Sequence, residues 1–99
     1  MKTKASRLFL GTLRLGVVRV TRGVRNTVSD FEVAMMLTRH SSGDWGIMSK
    51  SDQKQNDKWA KAGLGAHSAH KTRSGEKVWV ITEPSGKGFV TTVLLPEEY

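Results

Sequence analysis

Hydrophobic and polar positions change period along this chain, and the changes separate strands from helices. Residues 8–21 are rich in Leu and Val, with Leu13, Leu15 and Val17 on one parity and Arg14 on the other. Alternation of that kind predicts a strand or a bulged strand pair. The register then slips, since Val18 follows Val17 and Val20 sits opposite Arg19. A one-residue slip in a period-two pattern marks a bulge, and Gly16 suits a bend there. From residue 28 the period becomes helical. Ser29-Asp30-Phe31-Glu32 has the form of a capping box, with Val28 and Val33 at the staple positions. Phe31, Met35 and Thr38 form the apolar stripe of this first helix, which is expected to stop near His40 before Ser41-Ser42-Gly43.

A second helix is expected to begin after Ser49 or Ser51 and to end at Gly63, a natural left-handed cap. It is polar apart from Trp59, Ala60 and Ala62, which places it on the outside of the fold. Three strands follow, over residues 64–72, 78–82 and 89–95. Turn chemistry separates them at Arg73-Ser74-Gly75-Glu76 and Pro84-Ser85-Gly86-Lys87-Gly88. Pro96 ends the last strand because it has no amide hydrogen to donate. Strands joined by such short loops pair antiparallel. The expected fold is α+β: an antiparallel sheet of three to four strands with two helices packed on one face. On the last strand, Phe89, Val93 and Leu95 share the face expected to be buried against the first helix.

A length of 99 residues suits a single domain over 1–99, with residues 1–7 as a flexible basic arm. Hydrophobic residues reach 37%, enough for a modest core and too many for a disordered chain. There is no room for the two lobes of a cofactor-dependent enzyme. The absence of cysteine excludes disulfides, thiolate metal sites and cysteine nucleophiles. No apolar run approaches the roughly 20 residues of a membrane span, and Arg14 interrupts the one stretch that imitates a signal peptide. A soluble, cytoplasmic protein without membrane contact is expected.

Charge adds more. Lys2, Lys4, Arg7, Arg14, Arg19, Arg22 and Arg25 fall in the first 25 residues, which contain no acid. The remaining acids and bases balance, so the whole net charge of +7 sits in the first quarter of the chain. Such a segment neutralises phosphates and releases their counterions. Arg14, Arg19, Arg22 and Arg25 are therefore the expected binding residues, with Arg14 and Arg19 foremost because a strand would fix both on one surface. Trp59, beside Lys58 and Lys61, is a further candidate for stacking on a base; its plainer role is to pin its helix to the sheet.

Other constellations carry less chemistry. His67-x-x-His70 has metal-ligand spacing on a helix, but on a strand the two point to opposite faces, so no metal site is expected. Gly86-x-Gly88 joins two strands and lacks the helix of a phosphate loop, and no cofactor is implied. Thr82, Thr91 and Thr92 lie on adjacent strands and can line one face. In Arg39-His40-x-x-Gly43-Asp44-Trp45-Gly46, two glycines bracket an Asp–Trp pair. One reading is a packing turn with Trp45 in the core and Asp44 on backbone amides; the other sets His40 and Asp44 as base and orienter.

The blocks Arg39-His40, Gly43-Asp44-Trp45-Gly46, Asn56-Asp57, residues 78–83 and residues 91–99 resemble a family of small bacterial proteins found on plasmids and other mobile elements. The resemblance covers residues 36–99 and is most specific in Thr91-Thr92-Val93-Leu94-Leu95-Pro96-Glu97-Glu98-Tyr99. It departs in the loop between Glu83 and Thr91, where relatives have a shorter turn, and the basic arm has no counterpart. The family has no established activity, so the resemblance implies a mobile-element setting. Two functions follow. The first is a non-catalytic binding protein, such as an anti-restriction or anti-CRISPR inhibitor, whose partner is a host protein, a ribonucleoprotein complex or nucleic acid. The alternative is a metal-independent ribonuclease of barnase or toxin type, with His40, Lys77, Thr91 and Tyr99 as its catalytic residues. The edge of a short meander is also available to pair across a homodimer axis.

Overall fold

Side-chain caps set where the helices begin. A computed structural model describes residues 13–99; the arm at 1–7 and the opening of the strand predicted over 8–21 lie outside the described residues. Thr21 caps α1 (Arg22–Thr27), Ser29 caps α2 (Asp30–Ser41) and Ser49 caps α3 (Lys50–Lys61). Each cap hydroxyl accepts an otherwise unpaired amide of the first turn. The capping box of α2 is only half made, because Glu32 accepts the Arg73 amide instead of reaching back to Ser29. Gly63, at φ 76°, follows the Ala62 cap of α3 as expected.

The strands are β1 (Val17–Val20), β2 (Ala66–Lys71), β3 (Lys77–Ser85) and β4 (Gly88–Leu94). They form one mixed sheet in the order β1-β4-β3-β2. The meander β2-β3-β4 is antiparallel as predicted, and its second turn is a two-residue hairpin at Gly86-Lys87. The expectation of an antiparallel sheet fails at β1, which runs parallel to β4 with Val17 opposite Val90. Among the described residues the strand also begins only at Val17, although residues 13–16 were expected to belong to it. Gly16 takes φ 66°, and a Cβ there would collide with the Phe89 carbonyl, so the chain turns before β1 can extend backwards.

Strand alternation gives the sheet two faces. Val20, Ser68, His70, Val78, Val80, Thr82, Thr91 and Val93 point to the inner face. There Val24 of α1, Val28, and Val33 and Met36 of α2 pack with Val78, Val80, Val93 and Leu95. The predicted burial of Val93 and Leu95 against the Ser29-capped helix is borne out; that of Phe89 is not, since it is only half-buried and lies outside this cluster. The helix presents a different stripe, however. Val33, Met36 and His40 are buried while Phe31 is 72% exposed and Met35 also faces solvent. Those two line an open groove of about 520 Å³ with Arg39, Lys71 and Arg73.

The two-helix expectation is also revised. α1 was not anticipated, and α3 runs beside β2 rather than across the sheet. Ala60 packs with Leu13, Trp45 and Ala66 in a second cluster. Asn56 closes the outer edge of β2: its Nδ2 donates to His67 O at 2.7 Å and its Oδ1 accepts His67 N at 2.8 Å. One turn on, Ala69 N donates to Trp45 O and Ile47 N donates to Ala69 O. Among the described residues, β1 is thus the sheet edge with pairing on one side only. Glu98, in a 3₁₀ turn at Pro96–Glu98, accepts Thr21 Oγ1 and the Gly23 amide, which fastens the last residues to the start of α1.

Candidate functional site

The sequence candidates divide between a sealed polar chain under the sheet and a set of cations and rings on its surface. The turn after α2 decides the first. Trp45 is buried and its Nε1 donates to Asp57 Oδ1 at 2.8 Å. Asp44 accepts the Gly46 amide at 3.0 Å and the Arg39 Nε at 2.8 Å. Partial burial works against ionising Asp44, yet the Arg39 guanidinium and the Gly46 amide outweigh it and hold the carboxyl below its ordinary range. The packing reading of this turn is borne out. Asp44 does not touch His40, so the base-and-orienter pair is not formed.

His40 bonds instead to hydroxyls of the sheet, and the direction of the chain follows from its end. Thr91 Oγ1 donates to the Leu15 carbonyl, which can only accept. Thr91 must then accept the Thr82 hydroxyl at 2.6 Å, and Thr82 must accept His40 Nε2 at 2.9 Å. That leaves His40 Nδ1 to accept the Ser68 hydroxyl at 2.6 Å, and Ser68 to accept His70 Nε2 at 2.9 Å. His70 Nδ1 ends the chain as a buried lone pair without a partner. Gly46 leaves it room, since a Cβ there would approach within 2.8 Å. Burial pushes His40 down to about 3, helped by the neighbouring His70 and His67. It pushes His70 down to about 4, with the Arg39 charge adding to the effect. Both rings are neutral at pH 7, as the one-way chain requires.

The residues proposed for RNA cleavage fall into two pairs separated by the sheet. His40 and Thr91 meet through Thr82, but all three are buried. Lys77 is exposed on the outer face, and Tyr99 contacts Trp79 on that same side at a ring distance of 5.7 Å. A base with no exposed surface and a pKa near 3 has neither access to a 2′-hydroxyl nor the basicity to deprotonate one. Thr92 also turns away from Thr82 and Thr91 to the outer face, so the three hydroxyls do not line one surface. His67 and His70 point to opposite faces, as a strand dictates. Among the described residues no cluster of three His, Cys, Asp or Glu side chains could hold a metal.

On the surface, Arg14, Arg19, Arg22 and Arg25 are all exposed. The ion pair of the described residues is Arg39–Asp44, and none of the four arginines shares a described carboxylate. They surround the β1 edge: Arg14 before it, Arg19 in it, Arg22 and Arg25 in the helix that follows. Arg14 precedes the Gly16 turn, so the expected common strand surface for Arg14 and Arg19 is not formed. Trp59 is 42% exposed and walls a shallow pocket of about 280 Å³ with Leu64, His67, Ile81 and Glu83. It is neither a core residue nor isolated from the sheet.

The outer face brings together residues that the sequence considers only one by one. Arg19, Thr92, Ile81 and His67 form one row across the four strands, and Leu94, Trp79 and Ala69 form the next. Trp79 is the hub: His67 meets it edge-on at 4.9 Å and Tyr99 at 5.7 Å. The available signal was the parity of Lys77 and Glu83, which share the Trp79 side of β3 and mark it as the solvent face. No helix among the described residues is long and apolar enough to cross a membrane. No protein family, curated protein or solved structure matches the chain.

Proposed function

We propose that this protein is a non-catalytic binding protein whose partner is nucleic acid, met in the cytoplasm. The observation that carries this reading is the set of four exposed arginines around β1, none of them neutralised by a described carboxylate. An unpaired guanidinium keeps its full charge for a phosphate and docks two oxygens at once. The sealing of His40 and Thr91 favours binding over the ribonuclease alternative. The mobile-element resemblance adds a setting, in which a small basic domain would occupy the nucleic-acid channel of a host defence complex.

The test is a salt titration of a fluorescent oligonucleotide with the native protein and with a variant carrying Arg→Gln at 14, 19, 22 and 25. Native binding is expected to weaken steeply with salt. The variant is expected to melt at the native temperature and to lose about 0.7–0.9 units of log–log salt slope for each phosphate contact removed. Salt-insensitive binding, or an unchanged slope in the variant, would sink the proposal.

A further inference from the structure

We propose that the outer face of the sheet is a stacking platform for unpaired bases, so that the preferred ligand is single-stranded nucleic acid. This rests on the nucleic-acid reading above and assigns its contact surface. Both inner-face helices, α1 and α2, lie on the opposite side and α3 flanks the β2 edge; on the outer face Arg19, Lys77 and Glu83 are exposed and Trp79, Ile81, Val90 and Thr92 half-buried, while Ala69 and Leu94 are covered.

Three observations converge on that ligand. The first is aromatic. Trp79 stands in the third strand with His67 and Tyr99 against it, and Tyr99 is 85% exposed. Water is a poor environment for such a cluster, and each unpaired base offers a π-face that can cover it. The second is charge. Arg19 and Lys77 lie exposed on this face beside Glu83, and Asp52 of α3 acts on His67 at its β2 end. Arg19 stands two strands from the Trp79 strand, about 10 Å at ordinary strand spacing. A backbone crossing the sheet can therefore place phosphate on the arginine and bases on the rings. The third is shape. A four-stranded face with half-buried Ile81 and Val90 between the rings and Arg19 is broad and shallow. Among the described residues its strands carry no helix or ribbon of the kind that enters a duplex groove, and paired bases keep their faces stacked on each other.

The experiment compares oligo-dT, oligo-U and a blunt duplex of equal length by fluorescence anisotropy across a salt series. The proteins are native, Tyr99→Ala, Trp79→Leu and Arg19→Gln. The single strands are expected to bind at least tenfold more tightly than the duplex. Each ring removed should cost about tenfold or more in single-strand affinity with the salt slope unchanged, since stacking carries no counterion release. Arg19→Gln should do the converse and flatten the slope. Oligo-dT should also quench tryptophan emission, a quench that persists in Trp59→Phe; Trp45 is buried and does not respond. Should Trp79→Leu fail to fold, Tyr99→Ala and the quench decide the matter, because Tyr99 has little to lose by truncation. Equal binding of duplex and single strand, or native affinity in Tyr99→Ala with no quench, overturns the platform while the arginine result still stands. Absence of binding to every oligonucleotide removes both.

Discussion

In the native fold His40 and His70 each hold one ring proton, and a second would break the hydrogen-bond chain that joins them through Ser68. In the unfolded chain both titrate near 6.5, while in the fold they are pushed down to about 3 and about 4. Below pH 6.5 the unfolded state therefore binds more protons, and falling pH favours unfolding. Stability is complete above about pH 7 and declines as pH drops through that window, by up to about 1.4 kcal/mol per pH unit for each histidine. Urea midpoints measured between pH 7 and 5 are expected to fall for the native protein. In a His40→Asn/His70→Asn variant they should start lower and fall less, and equal slopes would show that these rings do not carry the dependence. The same residue explains a misreading. The buried positions of α2 are Val33, Met36, half-buried Leu37 and His40, which is the i, i+3, i+4, i+7 pattern of an amphipathic helix. One of the four is polar, and Ser68 and Thr82 that satisfy it lie far along the chain, so the apolar Phe31–Met35 stripe looked stronger than the true one.

At the level of elements, what local chemistry specifies was legible and what distant pairing specifies was not. Ser29 and Ser49 as caps, Gly63 after α3, the Gly86 turn and the stop at Pro96 all follow from a few adjacent residues. α1 was missed because its six residues give too short a window for a helical period. The parallel pairing of β1 is set by Val90–Val93 at the other end of the chain, which no local pattern announces. β4 then serves two neighbours, with Leu95 beyond it buried in the same cluster as Val24, Val28 and Met36. Leu95→Ala is expected to destabilise the protein by about 2–5 kcal/mol in chemical denaturation. An unchanged midpoint would mean that this end of the strand closes nothing.

Over the whole molecule, the surface divides by charge and by chemistry. Most polar interior groups bond to one another, with His67 Nε2 and His70 Nδ1 the exceptions, while arginines and lysines on and around the sheet stay exposed. The basic bias of the first quarter was plain from composition. The outer face proposed above as a contact surface was not, because it draws residues from all four strands and only their register assembles it. The parallel closure by β1 also has a consequence for synthesis. Leu15 and Thr91, joined by a hydrogen bond, are 76 positions apart. At a translation rate of about 5–20 residues per second, β1 leaves the ribosome roughly 4–15 s before β4 exists to receive it. The valines of β1 have no strand to join in that interval, and the β2-β3-β4 meander, built from near neighbours, can form first. Refolding should keep this order. Val20→Ala is expected to speed unfolding and leave the refolding rate unchanged, whereas Val80→Ala slows refolding in stopped-flow measurements. If both slow refolding equally, β1 docks in the transition state; otherwise its nascent segment is a natural client for any chaperone waiting at the exit tunnel.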